Sequence, residues 1–211
     1  MINLTEAVKI YKNTNVFGDV IMVEIFDKKV DNIEKATTIT KLFSDNQLVG
    51  LNIFDPTLLS TYPDGFIYPE KEVLKQLNNY LKQHNVAITF NYTKEDYLKV
   101  AEVLEVNKVE GSNNLSLCSV SIEGDKYSMI CGAKNVKAGM KTIAALDNAL
   151  LHDGTKVTSG EVLGVFSDGM LCSLKELGLD PDKVFNGVVE LDEDEVVGTS
   201  FFEVDWRKYN V

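Results

Sequence analysis

Few residues in this chain have the types and spacing for covalent chemistry. It carries two histidines, His84 and His152, and three cysteines, Cys118, Cys131 and Cys172, in 211 residues. The cysteines are odd in number, widely spaced and without a C-x-x-C pair, which points to reduced core thiols rather than a disulfide frame or zinc site. His152-Asp153-Gly154 has the composition of a turn, and His84 closes a helical pattern, where capping is the ordinary role. No nucleophile–base–acid arrangement and no phosphate-cradling glycine loop appears in the sequence. Asp192-Glu193-Asp194-Glu195 lacks the spaced ligands and glycine of a calcium loop and reads as a solvated turn. No catalytic residue, metal, cofactor or small-molecule substrate is therefore expected. What remains is a local group of bases, Lys134, Lys137 and Lys141, in a chain whose formal net charge is −11. Such a group is either a contact for a polyanion or a solvated lysine face.

Charge narrows the choice of partner. An acidic chain has no bulk attraction for nucleic acid, because neutralising phosphates supplies most of that affinity. The bases are 20 Lys and one Arg, Arg207, so bidentate guanidinium recognition of phosphate is confined to one position. Residues 1–93 carry 11 acids and 9 bases, 94–181 carry 13 and 9, and 182–211 carry 8 and 3, so the last segment is the most acidic for its length. No apolar run is long enough to span a bilayer, and the first residues lack the basic start and apolar core of a signal peptide. A cytoplasmic location is expected.

The elements that position these residues come in two groups. Val20–Phe26, Ala36–Phe43, Gln47–Phe54 and Val86–Phe90 have the β-rich composition of strands, with a hairpin turn at Ser44-Asp45-Asn46. Pro69 starts a helical pattern running to about His84, and Val73, Leu74, Leu77, Tyr80 and Leu81 form its core stripe. Five further strand patterns follow at 97–106, 115–122, 126–131, 140–146 and 158–166; the first alternates imperfectly, as a strand with a bulge does. Leu171–Leu179 has the period of a short helix closed by Gly178. The expected architecture is an α+β N-terminal domain over residues 1–92. An all-β OB-fold follows over 93–203, a five-stranded Greek-key barrel with a short helix, ending in an acidic C-terminal segment.

Two motifs in the second group resemble a known family. Ile130-Cys131-Gly132-Ala133-Lys134-Asn135-Val136 resembles I-V-C-G-A-P-N-V. Gly164-Val165-Phe166-Ser167-Asp168-Gly169-Met170-Leu171-Cys172-Ser173 resembles G-V-x-S-x-G-M-L-C-S, and Glu176-Leu177-Gly178-Leu179 follows it. Cys118 and Val120 match the C-x-V of the second strand. Both motifs belong to the tRNA-binding domain family, the OB-fold module at the front of the bacterial phenylalanyl-tRNA synthetase beta chain. Gly18-Asp19, Val49–Phe54 and the closing stretch from Gly187 to Gly198 further resemble free-standing bacterial proteins of the YtpR type.

The resemblance implies non-catalytic binding of tRNA, by shape at its elbow rather than by reading an anticodon. On that basis Ser167 offers a hydrogen bond to phosphate or a 2′-OH, and Met170 an apolar contact beside it. Asn135 either bonds a sugar or base edge or closes its own loop as an Asx-turn. Lys134, Lys137 and Lys141 supply the positive charge. The chain departs from the family at three places. Val109–Leu115 replaces H-P-N-A-D-K-L and loses its His and Lys, Leu163 stands where a basic residue is frequent, and Lys134 replaces a proline. These losses favour an alternative, a protein-interaction module that docks an aminoacyl-tRNA synthetase or an identical subunit as a homodimer, with weak or lost RNA binding.

Overall fold

The computed structural model describes residues 2–4, 8–92, 97–179 and 187–209. The chain divides into two compact units, Met1–Glu95 and Asp96–Val211. Thr93, part of the expected boundary, lies outside the described residues.

The first unit is built on a six-stranded antiparallel sheet. Its strands are β2 (Lys9–Lys12), β3 (Val20–Glu24), β4 (Asn32–Glu34), β5 (Ile39–Ser44), β6 (Gln47–Phe54) and β7 (Gly65–Ile67), in the order β4-β5-β6-β3-β2-β7. A separate parallel pair joins β1 (Ile2–Leu4) to β8 (Ile88–Phe90). Asp45 and Asn46 both have positive φ, 49° and 63°, which gives the two-residue turn whose twist matches the strands it joins. A one-turn helix, α1 (Thr14–Phe17), links β2 to β3, and the helix α2 (Lys71–Gln83) buries Val73, Leu74, Leu77, Tyr80 and Leu81, the stripe that its period requires. It packs into one core with Ile10, Leu51 and Ile53 of the sheet. His84 ends the helix: its Nδ1 lies 2.9 Å from the Tyr80 carbonyl, and its ring stacks on Tyr80 at 4.1 Å between centroids.

The second unit is a nearly closed five-stranded antiparallel barrel, the OB-fold expected from the sequence. Strands β9 (Leu98–Lys108), β10 (Ser116–Ile122), β11 (Asp125–Cys131), β12 (Lys141–Leu146) and β15 (Gly169–Leu171) run in the order β11-β10-β9-β12-β15. The register of β9 against β10 shifts between Ser119 and Val120, which oppose Glu105 and Val103, so Leu104 is the extra residue of a bulge. The pattern at 158–166 resolves into a short hairpin, β13 (Gly160–Val162) and β14 (Val165–Ser167). The strand that completes the sheet is β15, which begins two residues after the end of β14 and pairs with β12. Gly169 opens β15 because a Cβ there would overlap the Ala145 carbonyl oxygen.

Two apolar clusters hold this unit. Inside the barrel, Val103, Cys118, Val120, Met129 and Ala144 pack together. Ile143 and Ala145 alternate with Ala144 along β12 and face a second cluster with Leu98, Leu151, Leu177, Val189 and Phe201. Strand β12 is therefore buried on both faces, which explains why Ile143–Leu146 is continuously apolar rather than alternating. The expected 171–179 helix is shorter: Leu171 belongs to β15, and the residues from Ser173 form a single helical turn that opens on a capping box. Ser173 N–H and Oγ donate to Glu176 Oε2, each at 2.7 Å, and Glu176 N–H donates back to Ser173 Oγ at 3.3 Å.

Candidate nucleic-acid interface

The first-named candidate, Ser167, lies at the seam where the sheet curls back on itself. Strand β11 is one edge of the sheet and β15 the other, so the outer backbone groups of β11 must find partners elsewhere. Ile130 N–H donates to Ser167 Oγ at 3.0 Å, and that hydroxyl donates to the Gly169 carbonyl at 2.8 Å. Ser128 N–H donates to Asp168 Oδ2, and Asp168 N–H donates to the Ser128 carbonyl, both at 2.7 Å. Two side chains of the S-D-G-M motif thus stand in for a strand ladder. Ser167 is 7% exposed, and its hydroxyl proton is committed within the fold. Met170, beside it on β15, is half-buried against the outer cluster.

Asn135 has a similar place. Its Nδ2 donates to the Val188 carbonyl at 2.8 Å, and Val188 N–H donates to its Oδ1 at 3.0 Å. The side chain pairs with a residue 53 positions away as a strand residue would, rather than closing its own loop. It fixes the Gly132–Gly139 loop against the segment that follows residue 187.

The three lysines diverge. Lys134 is exposed and has no partner among the described residues. Lys137 pairs with Glu190 at 2.7 Å, with both side chains more than half exposed. Lys141, at the start of β12, donates to the backbone carbonyls of Glu193 and Glu195 at 2.5 and 2.7 Å. Lys134 and Lys137 therefore share one loop, whereas Lys141 is turned to the acidic segment. Sequence reasoning missed Lys108. It pairs with Ser116, which pairs with Cys131, so the ends of β9 and β11 meet at one rim, three residues from Lys134. Lys108 is exposed and has no partner among the described residues. Only the final register shows that it joins Lys134.

The thiols are in the core, as the sequence implies. Cys118 and Cys131 lie on adjacent strands inside the barrel, and the Cys118 S–H hydrogen bond pulls the Cys131 thiol down while Cys118 is pushed up. Burial, and then the Glu176 carboxylate, push Cys172 up. His152 contributes its backbone N–H to the Glu176 carbonyl, and Asp153 Oδ1 accepts from Thr155 N–H at 2.9 Å, an Asx-turn. No group of three or more His, Cys, Asp or Glu side chains that would hold a metal ion occurs among the described residues. Among them also, no helix is long and apolar enough to cross a membrane.

A five-stranded antiparallel barrel of this kind defines the OB-fold class. Comparison with known proteins gives the family. Residues 98–200, the barrel and the segment that covers it, match the family described as "Putative tRNA binding domain". The chain belongs to this family. It is 26% identical over 196 residues to the "Putative tRNA-binding protein YtpR" of Bacillus subtilis, covering 90% of this chain and 98% of that one. It is 30% identical over 167 residues to the "Uncharacterized protein MG449 homolog" of Mycoplasma pneumoniae, covering 75% and 68%. The phenylalanine–tRNA ligase beta subunit of Ehrlichia canis is 41% identical over 108 residues, which is half of this chain but only 14% of that subunit.

Proposed function

We propose that this chain is a non-catalytic, cytoplasmic tRNA-binding protein that recognises folded tRNA by shape through the second of two domains, residues 1–92 and 93–203. The observation that carries this reading is the coincidence of the family match, 98–200, with a barrel whose rim presents Lys108, Lys134 and Lys137. Met170, half-buried on β15, supplies an apolar contact. Ser167 and Asn135 act by holding the rim loops in place, since both hydroxyl and amide are engaged in the fold. Positioned lysines contact phosphate without reading bases, which suits recognition of a folded backbone.

With two or three phosphate contacts, the logarithm of affinity should fall against that of salt with a slope of about −2. The test is a titration of the full chain with mixed tRNA and with duplex DNA, at about 50 and 200 mM salt. Preference for tRNA, a slope near −2, and a shallower slope by about one in Lys134→Gln support the reading. Equal binding to duplex DNA, or none to tRNA at the lower salt, contradicts it.

One observation favours docking of a protein partner, a synthetase or a second copy. The β13–β14 hairpin exposes Val162, Leu163 and Phe166, and Leu163 holds φ at 51° with its side chain 63% exposed. Leu163 and Gly164 take the positive φ that a two-residue hairpin turn requires, and what the tip adds beyond that is a group of exposed apolar side chains suited to a contact. A dimer or a co-purifying synthetase on sizing, disrupted by Leu163→Asn, would establish that reading.

A further inference from the structure

We infer that the segment Glu190–Glu195 is a built-in competitor for the lysine rim, so that the protein holds its own polyanion site partly closed. The inference rests on the tRNA-binding reading and adds a regulatory contact to it. The Glu190 carboxylate occupies Lys137 at 2.7 Å, and the Glu193 and Glu195 carbonyls occupy Lys141. Leu191 N–H also donates to the Lys141 carbonyl at 2.9 Å, so the segment bridges to the start of β12, beyond the residues that β15 pairs with.

The segment is held from its other side as well. Asp192 N–H donates to Tyr209 Oη at 3.1 Å, and that hydroxyl donates to Glu195 Oε1 at 3.1 Å. Lys208 pairs with Glu195 at 3.1 Å and with Asp194 at 3.8 Å, and these carboxylates hold its ammonium above the ordinary value. Trp206 packs on Phe201 at 5.1 Å and ties this C-terminal turn to the outer cluster. The acidic segment is therefore placed by the fold against the lysine loop.

The two engaged lysines differ in what would release them. The Lys137–Glu190 pair is exposed, and such pairs contribute little stability, so a phosphate can replace the carboxylate. Lys141 binds carbonyls of a segment fixed at both ends, and would need that segment to leave. Asp192, Glu193 and Asp194 stay exposed beside the rim and add repulsion against any phosphate that approaches. Lys137 is thus the gated contact, and Lys141 a structural one.

The experiment uses the full chain and labelled mixed tRNA at about 50 and 200 mM salt, for wild type, Glu190→Gln, Lys137→Gln, the double variant and Lys141→Gln. Freeing one phosphate contact should raise the ratio of affinities at the two salts by about threefold. Glu190→Gln is expected to show this rise, and to lose it when Lys137→Gln is also present. Lys141→Gln should leave the ratio unchanged. Glu161→Gln, an exposed acid on the hairpin, controls for net charge alone. Tight tRNA binding by wild type with no rise in Glu190→Gln, or an equal rise in Glu161→Gln, overturns the inference and leaves the tRNA reading standing. No tRNA binding by wild type and Glu190→Gln alike overturns both.

Discussion

Asn135→Ala removes both of the hydrogen bonds that join the Gly132–Gly139 loop to Val188. Val188 is 4% exposed, so its stranded N–H and C=O do not readily regain water. A buried group left without its partner costs about 1–3 kcal/mol, and two such groups beside a loop that can relax give about 2–4 kcal/mol in all. For a unit of this size that corresponds to a fall of roughly 10 °C in Tm. The single tryptophan, Trp206, lies in the same unit and reports on it alone. Urea unfolding followed by its fluorescence should show a midpoint lowered by about 1–2 M with an unchanged slope. Asn135→Asp keeps the acceptor for Val188 N–H and should fall between the two. If Asn135→Ala unfolds within about 0.5 kcal/mol of wild type, the clamp is not what holds the loop. A loss of tRNA affinity without loss of stability would return Asn135 to the role of an RNA contact.

Three other outcomes follow from the same geometry. Ser167→Ala strands Ile130 N–H at the barrel seam and should cost about 1–3 kcal/mol by urea unfolding, with Ser167→Thr milder. Thr142 Oγ1 is buried on β12 with no partner among the described residues, so Thr142→Val should stabilise the unit by about 1 kcal/mol in the same assay. Burial and Glu176 keep the Cys172 thiol protonated above its ordinary value of 9.0, so that stability is complete below about pH 9 and is lost as pH rises further. The loss reaches about 1.4 kcal/mol per pH unit, and Cys172→Ala should flatten the difference in stability between about pH 8 and pH 10.

The elements with a strong local signal were legible in the sequence. The α2 stripe is fixed by the 3.6-residue period, and the Asp45-Asn46 turn by the tolerance of those residues for positive φ. The barrel followed from strand spacing and two motifs. The closing strand was not legible, because three residues at Gly169–Leu171 carry no period of their own and only their pairing with β12 makes them a strand. The site divides in the same way. Ser167 and Asn135 stand out as polar residues within motifs, which invites a binding role, yet their partners lie 37 and 53 residues away. Local sequence cannot show that a hydroxyl or amide is already engaged at such range. Lys108 was missed for the converse reason, since it joins Lys134 only through the register of three strands. The acidic run at 192–195 is a turn as its composition implies, but its carbonyls, not its carboxylates, hold Lys141.

The measurement that bears most directly on tRNA binding by shape is a competition between folded tRNA and an unstructured RNA of equal length and charge. Both would displace a labelled tRNA from the full chain at about 100 mM salt. Recognition of the folded backbone requires the folded competitor to act at a concentration at least about tenfold lower, a difference of about 1.4 kcal/mol. Equal competition by the two RNAs would mean that the lysine rim senses charge alone, and recognition by shape would be wrong.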